Sequence, residues 1–463
     1  MKQHTDLTQG SVVKHLVALT VPMIAGVAAI MAYNLTDTYF ISKLENGTEK
    51  LAAMGFTFPV VMVVGAIAMG IGMGASSCIS RAIGKGDQHR VRRLATDGLV
   101  LALILVAVLG GTGLLTMGPL FRLLGAKPEL LPLIRKYMTL WYSAVAVVVI
   151  PMVGNNMIRA TGNTFVPSLI MILGAVLNVI LDPLLIFGCG PIQGMGIFGA
   201  VLATVLSRLV SGSVSIWVLA RHCGLLELAR PRWQELVDSW KEMLCVAIPA
   251  AGTHMLMPLS RALMIQMVAG CGNPAVAAVA AGARVERFLY IVCIAMGSCL
   301  IPLVGQNWGA GRLDRVRHIR NVSAVFDILY GVLSFLLALA LATPVARIFS
   351  SDPLVIERIV WYLQAILLGS ALHHVGVHTG FMFNAINRPG AAALFNALRM
   401  PTIQISFAWI GLKIGGLWGL FLGLGIAPLL TGTIALIWFE LILRHAERGP
   451  SCHRKIDRLP SQL

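Results

Sequence analysis

The chain has 463 residues, of which 57% are hydrophobic and 12% charged, with a formal net charge of +16. A soluble protein carries about a quarter charged residues, so this composition excludes a soluble enzyme or nucleic-acid-binding module and indicates an integral membrane protein. At roughly 20 residues per membrane span, the length holds about twelve helices and little else.

The N-terminal segment "MKQHTDLTQGSVVKH" is polar and leads into the first apolar run without a small-residue cleavage site. It is therefore expected to stay on the protein rather than be removed as a signal peptide. The first span, about 16–41, carries Pro22 and, near its end, "AYNLTDTYFIS", in which Tyr33 and Asn34 share a helix face with Asp37. The second, about 51–78, carries Met62, Met69 and the glycine-rich "GAIAMGIGMGASS". Those glycines follow no strand, so the dinucleotide fingerprint is excluded and close helix packing is the default. Methionines lining a polyspecific cavity are an alternative to plain packing.

The third and fourth spans are expected at about 95–118 and 134–158, the fifth at 166–188 and the sixth at 197–220. In the fifth, "LGAVLNVILDPLLIFG" stacks Asn178 above Asp182 at helical spacing, and Pro183 frees a backbone carbonyl one turn earlier. The amphipathic "LLELARPRWQELVDSWKE" then reads as an interfacial linker helix. Spans seven to twelve follow at about 244–270, 276–305, 321–347, 358–386, 392–414 and 417–443.

Lysines and arginines cluster after the second, sixth and eighth spans and in the tail, whereas "CGPIQGMG" and "CGNPA" carry none. Both termini are therefore expected in the cytoplasm. "FRLLGAKPELLPLIRKY" is basic on the opposite side and runs against that bias. The eight cysteines show no paired spacing that would argue for a disulfide framework or zinc site.

The sequence also repeats itself: "SRAIGKGDQHRVRR" resembles "GQNWGAGRLDRVRH" about 225 residues later. Six spans per half give both halves the same orientation, a parallel repeat about an axis along the membrane normal. The expected organisation is an N-terminal six-helix lobe (1–222), a cytoplasmic linker helix (223–243), a C-terminal six-helix lobe (244–445) and a cytoplasmic tail (446–463).

Acids inside apolar runs are Asp37, Asp182, Glu286, Asp327 and Glu440, with Asp97 at an edge. An acid at a helix centre costs about 2.5–3.5 kcal/mol on insertion scales, so each is a functional candidate beside its plainer reading as a satisfied structural acid. Nothing equivalent to Asp37 and Asp182 stands at the matching places of the second half, where Met264 and a position near Ser406 fall. That asymmetry suggests one ion site, in the first half. The candidate polar site of the second half comprises Glu286, Arg261, Arg284, His373, His374 and His378. For Glu286, flanked by Arg284 and Arg287, an intramembrane charge pair is the favoured reading. The spacing of His374 and His378 suits a metal, but no acidic or cysteine partner accompanies it in sequence, so a proton-accepting or cavity-lining role is preferred. There is no Walker sequence, nucleophile elbow or H-E-x-x-H, and no enzyme activity or cofactor is expected.

Taken in order, "LTVPMIAG", "YNLTDTYFIS", "NNMIRATGNT", "LNVILDPLLIFG", "GAVLATVLSR" and "VGQNWGAG" resemble the multidrug and toxic compound extrusion (MATE) transporters, most closely their bacterial DinF-like branch, from about Leu7 to Leu443. The resemblance implies an all-α integral membrane fold of twelve transmembrane helices in two six-helix bundles around a cleft. It also implies export of organic, often cationic, drugs in exchange for H⁺ or Na⁺ by alternating access. Carried over by position, it places a cation site on Asp37, Asn178, Asp182 and Thr204, cavity residues at Tyr137 and Asn155, and a bend at Pro22. Branches with acids on the seventh and tenth helices have, in those regions here, Arg261 or Met264 and the histidines, which argues against the same second-half cation site. Small organic molecules and membrane lipid are the expected partners, the bacterial inner membrane the expected location, and a monomer the expected state. A lipid-linked sugar flippase of the wider superfamily is the alternative.

Overall fold

A computed structural model describes residues 6–44, 47–227, 229 and 232–448. The tail expected over 446–463 lies outside the described residues beyond Arg448, as does Arg230 in the connection between the halves.

Long apolar runs in this chain can satisfy their backbone groups in lipid only as helices, and helices dominate: α1 (Val12–Ser42), α2 (Gly47–Gly84), α3 (Gln88–Leu123), α4 (Leu131–Ser143), α5 (Val145–Ala160), α6 (Phe165–Ile186) and α7 (Ile197–Trp217), then α8 (Trp233–Ala269), α9 (Asn273–Leu289), α10 (Ile291–Gly309), α11 (Leu313–Phe349), α12 (Pro353–Leu368), α13 (Ser370–Ala385), α14 (Pro389–Ala397) and α15 (Ile405–Glu447). π-helical turns extend α7 through His222 and join α14 to α15. A two-residue hairpin, β1 (Gly188–Cys189) and β2 (Ile192–Gln193), follows α6.

Two spans are bent: α4 meets α5 at 49° and α12 meets α13 at 54°. The apolar run from Pro389 to Glu447 is also two spans, because the backbone leaves helical geometry at Gly415 and Gly416. Gly416 has φ 58°, a left-handed conformation that glycine takes without a Cβ penalty. Beside that corner Gly411 and Gly419 approach so closely that a Cβ on either would strike the other's carbonyl. With α9 and α10 as one crossing, the described residues make twelve.

The repeat is written in the backbone. Gly84 and Gly309 end α2 and α10, and Gln88 and Leu313 begin α3 and α11, each pair 225 positions apart. The connecting glycines Gly86 (φ 78°) and Gly311 (φ 72°) keep the same spacing, as do Gly162 (φ 86°) and Asn387 (φ 61°). Asparagine is the residue that best replaces glycine in the left-handed region.

The described chain forms two compact units, His15–Met255 with Leu7, and Thr8–Lys14 with the residues from Leu256 onward. In the first, Phe121, Ile134, Met138, Val153 and Met243 are fully buried in one apolar cluster. In the second, Val268, Ala278, Ile359, Leu420 and Phe421 play that part. Large apolar side chains such as Leu115, Leu123 and Ile414 are more than four-fifths exposed, as lipid-facing positions are.

Two expectations about organisation change. The amphipathic stretch read as a linker helix is not a separate element: its residues from Trp233 on are the first turns of α8, which runs unbroken to Ala269. Those turns belong to the first unit, held by Glu242, which accepts hydrogen bonds from Arg81 (3.1 Å) and Arg90 (2.9 Å), and by Trp240, which donates to the Asp97 carbonyl. The segment Thr8–Lys14, expected within the first lobe, belongs to the second unit, where Arg315 donates to the carbonyls of Gln9 and Gly10.

Candidate functional site

The polar cluster of the first unit is assembled by four helices. On α6 the four-residue spacing places Asn178 and Asp182 one above the other, and both are buried, Asp182 completely. α7 packs along α6, and Asn178 Nδ2 donates a long 3.4 Å hydrogen bond to Thr204 Oγ1. From α1, Asp37 lies within electrostatic range of Asp182. Tyr137 on α4 interacts in turn with Asp37 and Tyr33, and the Tyr33 ring faces the Arg208 guanidinium at 5.5 Å.

Among the described residues, both carboxylate oxygens of Asp182, Oδ1 of Asp37 and Oδ1 of Asn178 are buried with no hydrogen-bond partner. Buried polar atoms are nearly always paired, and two neighbouring carboxylates out of water are costly unless a proton or cation joins them. Oxygen donors of this kind suit a proton or a hard cation.

The other first-half candidates stand apart from these contacts. Asn34 is exposed and donates to its own helix at the Ile30 carbonyl. Asn155, buried on α5, accepts from Ser215 on α7 at 3.5 Å. Met62 is 40% exposed and Met69 half-buried. Pro22 sits within a helix that continues through it, and Pro183 lies in the last turn of α6.

In the second unit the candidates divide into two groups. Arg261, Arg284 and Arg287 line one cavity of about 240 Å³ with Ile265, Val268 and Val279. Glu286 was expected to pair with these arginines. Its Oε2 accepts a 2.7 Å hydrogen bond from the Tyr362 hydroxyl, and although no ion-pair partner lies within 4.0 Å of it among the described residues, Arg261 and Arg287 remain within electrostatic range. Successive residues of a helix point about 100° apart, so Arg284, Glu286 and Arg287 cannot all face one another.

The histidines form the second group. His373 stacks on Tyr290 at 5.4 Å and His374 meets the same ring edge-on at 4.7 Å. His378, fully buried, contacts Asp327 Oδ2 through Nδ1 and the Cys293 carbonyl through Nε2, both at 2.8 Å. No group of three or more His, Cys, Asp or Glu able to hold a metal occurs among the described residues. Sequence reasoning flagged Asp327 as a costly intramembrane acid but missed that it partners His378; the available signal was one acid and one histidine run on neighbouring spans of the same half. Asp97 and Glu440 are structural: Asp97 pairs with Arg93 at 2.6 Å, and Glu440 gathers Arg317, Arg320 and Arg444.

Comparison with known proteins agrees along almost the whole chain. A family model described as MatE matches residues 22–184 and 249–410. The chain is 38% identical to a protein of Shewanella oneidensis named FAD transporter, over 93% of this chain and 95% of that protein. It is 25% identical to a Staphylococcus aureus protein named multidrug export protein MepA, over 89% and 90%. Among solved structures it resembles the Vibrio cholerae MATE transporter VcmN in the bent form, with a TM-score of 0.88, 29% identity and coverage of 94% and 98%.

Proposed function

We propose, for a chain that belongs to the MATE family of multi-pass membrane transporters, that it is an ion-coupled exporter of aromatic organic phosphates of the flavin-dinucleotide kind. The observation that carries this reading is a cavity of the second unit onto which three guanidiniums open, Arg261, Arg284 and Arg287. Guanidinium groups match phosphate oxygens in pairs, and the nearby carboxylate, Glu286, makes its hydrogen bond to a phenol and offsets Arg261 and Arg287 only from beyond ion-pair distance. The similarity to a protein named FAD transporter supports the same chemistry. This changes the expected cargo from organic cations to organic anions.

Asp37 and Asp182 supply the coupling in this reading. Ion or proton binding from outside neutralises the pair, and release inside restores the anionic state in which substrate is carried, by alternating access. An inward cation gains about 2.3 kcal/mol per charge for every 100 mV of potential, and an outward anion gains the same per negative charge, so the potential favours export on both counts. Ion and substrate need only weaken each other's binding, by a coupling of about 1–3 kcal/mol. The alternation of arginine-rich and arginine-free connections supports insertion in the inner membrane with both termini in the cytoplasm.

A second reading, export of cationic drugs, is supported by the carboxylates of the first unit and by the similarity to the multidrug export protein. Proteoliposomes distinguish the two. Movement of FAD, lost in Asp182→Asn, sustains the proposal; movement of ethidium without FAD replaces it with the cation reading. Movement of neither, with flipping of a polyprenyl pyrophosphate sugar, replaces it with the flippase alternative.

A further inference from the structure

The contacts of His378 count protons. Its two ring nitrogens each lie 2.8 Å from an oxygen: Nε2 from the Cys293 carbonyl on α10, Nδ1 from Asp327 Oδ2 on α11. A carbonyl only accepts, so Nε2 must carry a hydrogen. A neutral imidazole has one hydrogen, which leaves a lone pair on Nδ1 facing a carboxylate oxygen that, when ionised, also only accepts. The opposite tautomer satisfies Asp327 and sets a lone pair against the carbonyl. Two hydrogen bonds therefore require one proton more than a neutral histidine and an ionised aspartate possess between them.

From this geometry we infer that Asp327 and His378 form a second proton-binding site of the protein, within the second unit and separate from Asp37 and Asp182. The bound proton lies between Nδ1 and Oδ2, and the loaded pair is neutral overall, either as imidazolium with carboxylate or as imidazole with carboxylic acid. When the proton leaves, the pair carries one negative charge and two lone pairs oppose each other, so the contact between α11 and α13 opens. The site thus converts proton occupancy into a displacement of helices.

The surroundings favour this use. Both partners are fully buried, and Asp327 Oδ1 has no hydrogen-bond partner among the described residues. The titratable or charged groups around His378 are Cys293 from α10, Tyr330 from α11, Tyr290 from the α9–α10 turn, His373 and His374 from α13, and Arg399 from the turn before α15. Apart from the Cys293 carbonyl, none of them forms a hydrogen bond or ion pair with either partner among the described residues, so the shared proton belongs to the pair. His374, one turn from His378 with both ring nitrogens buried and unpartnered among the described residues, is the next acceptor along the helix.

The test does not depend on the transported substrate. Protein carrying nitrogen-15 histidine is reconstituted in nanodiscs and followed from pH 5 to 10 by ring-nitrogen NMR and by infrared absorption of protonated carboxyls. His378→Gln identifies one ring signal among the 11 histidines, and Asp327→Asn, whose amide satisfies Nδ1 without a bound proton, serves as the second variant. The expected result is a His378 that is doubly protonated, or singly protonated beside a protonated Asp327, at low pH, with both partners changing together as one proton leaves. A neutral ring beside an ionised carboxylate over the whole range overturns the proposal, and so does a proton that never leaves.

Discussion

Arg81 Nη2 lies 3.1 Å from Glu242 Oε1 and ties the end of the second span to the first turns of the seventh. Glu242 also takes a 2.9 Å contact from Arg90, so one carboxylate joins α2, α3 and α8. Arg81 is almost fully buried and Glu242 about one-third exposed. Replacing Glu242 by Gln leaves Arg81 with a weaker acceptor and is expected to destabilise the protein by about 1–2 kcal/mol, the lower part of the range for charge-assisted hydrogen bonds because of that exposure. Thermal melting of the purified protein checks this; an unchanged midpoint would show that α8 is held by packing alone.

Asp182 and Asp37 are expected to behave as one unit under substitution. Removing either charge leaves a single carboxyl that no longer needs a proton or cation to offset a neighbour. Asp182→Asn and Asp37→Asn should therefore each fold and each lose at least tenfold in gradient-driven transport, while substrate exchange without a gradient is retained. The check is counterflow beside ion-driven uptake in the same proteoliposomes. Loss of both activities together would mean that the acids hold the fold rather than the coupling.

Much of the scaffold could be read from the sequence because its signals are local. The spacing of "SRAIGKGDQHRVRR" and "GQNWGAGRLDRVRH" reappears as Gly86 and Gly311 in the same left-handed turn, and the face shared by Asn178 and Asp182 follows from helical geometry. What stayed hidden depends on which helices become neighbours. His378 and Asp327 are 51 positions apart, and no periodicity links them. The sequence sets Glu286 against Arg284 and Arg287 beside it and Arg261 on the preceding span, whereas its hydrogen-bond partner, Tyr362, comes from another span. The linker helix was missed as part of α8 because a change from amphipathic to apolar composition need not interrupt a helix. The bends at Ala144 and Gly369 leave no hydropathy signal, since both arms of each span are apolar.

The bend between α12 and α13 offers a test of packing. A Cβ placed on Gly369 would strike the Gly425 carbonyl of α15, and Gly425 is equally close to Ala365. Neither obstacle is a flexible side chain, so the helices must separate to admit a methyl group. Overpacking of this kind costs about 1–3 kcal/mol. Gly369→Ala should lower the melting midpoint, whereas Gly111→Ala, with nothing within 4 Å of the added atom, should leave it in place.

The arginine cavity gives the sharpest separation between cargo classes. If Arg261 and Arg284 engage a substrate phosphate, replacing either by Gln removes a charge-assisted hydrogen bond worth about 1.5–3 kcal/mol, or roughly 10–100-fold in apparent affinity for FAD. Riboflavin, which keeps the aromatic ring and lacks the phosphates, should lose nothing in the same variants. For a cationic cargo the sign reverses, because removing a guanidinium relieves repulsion, and uptake of ethidium should stay constant or rise. Measuring all three compounds in Arg284→Gln proteoliposomes therefore distinguishes phosphate recognition from a structural role: a structural defect lowers every rate together, whereas recognition lowers only that of FAD.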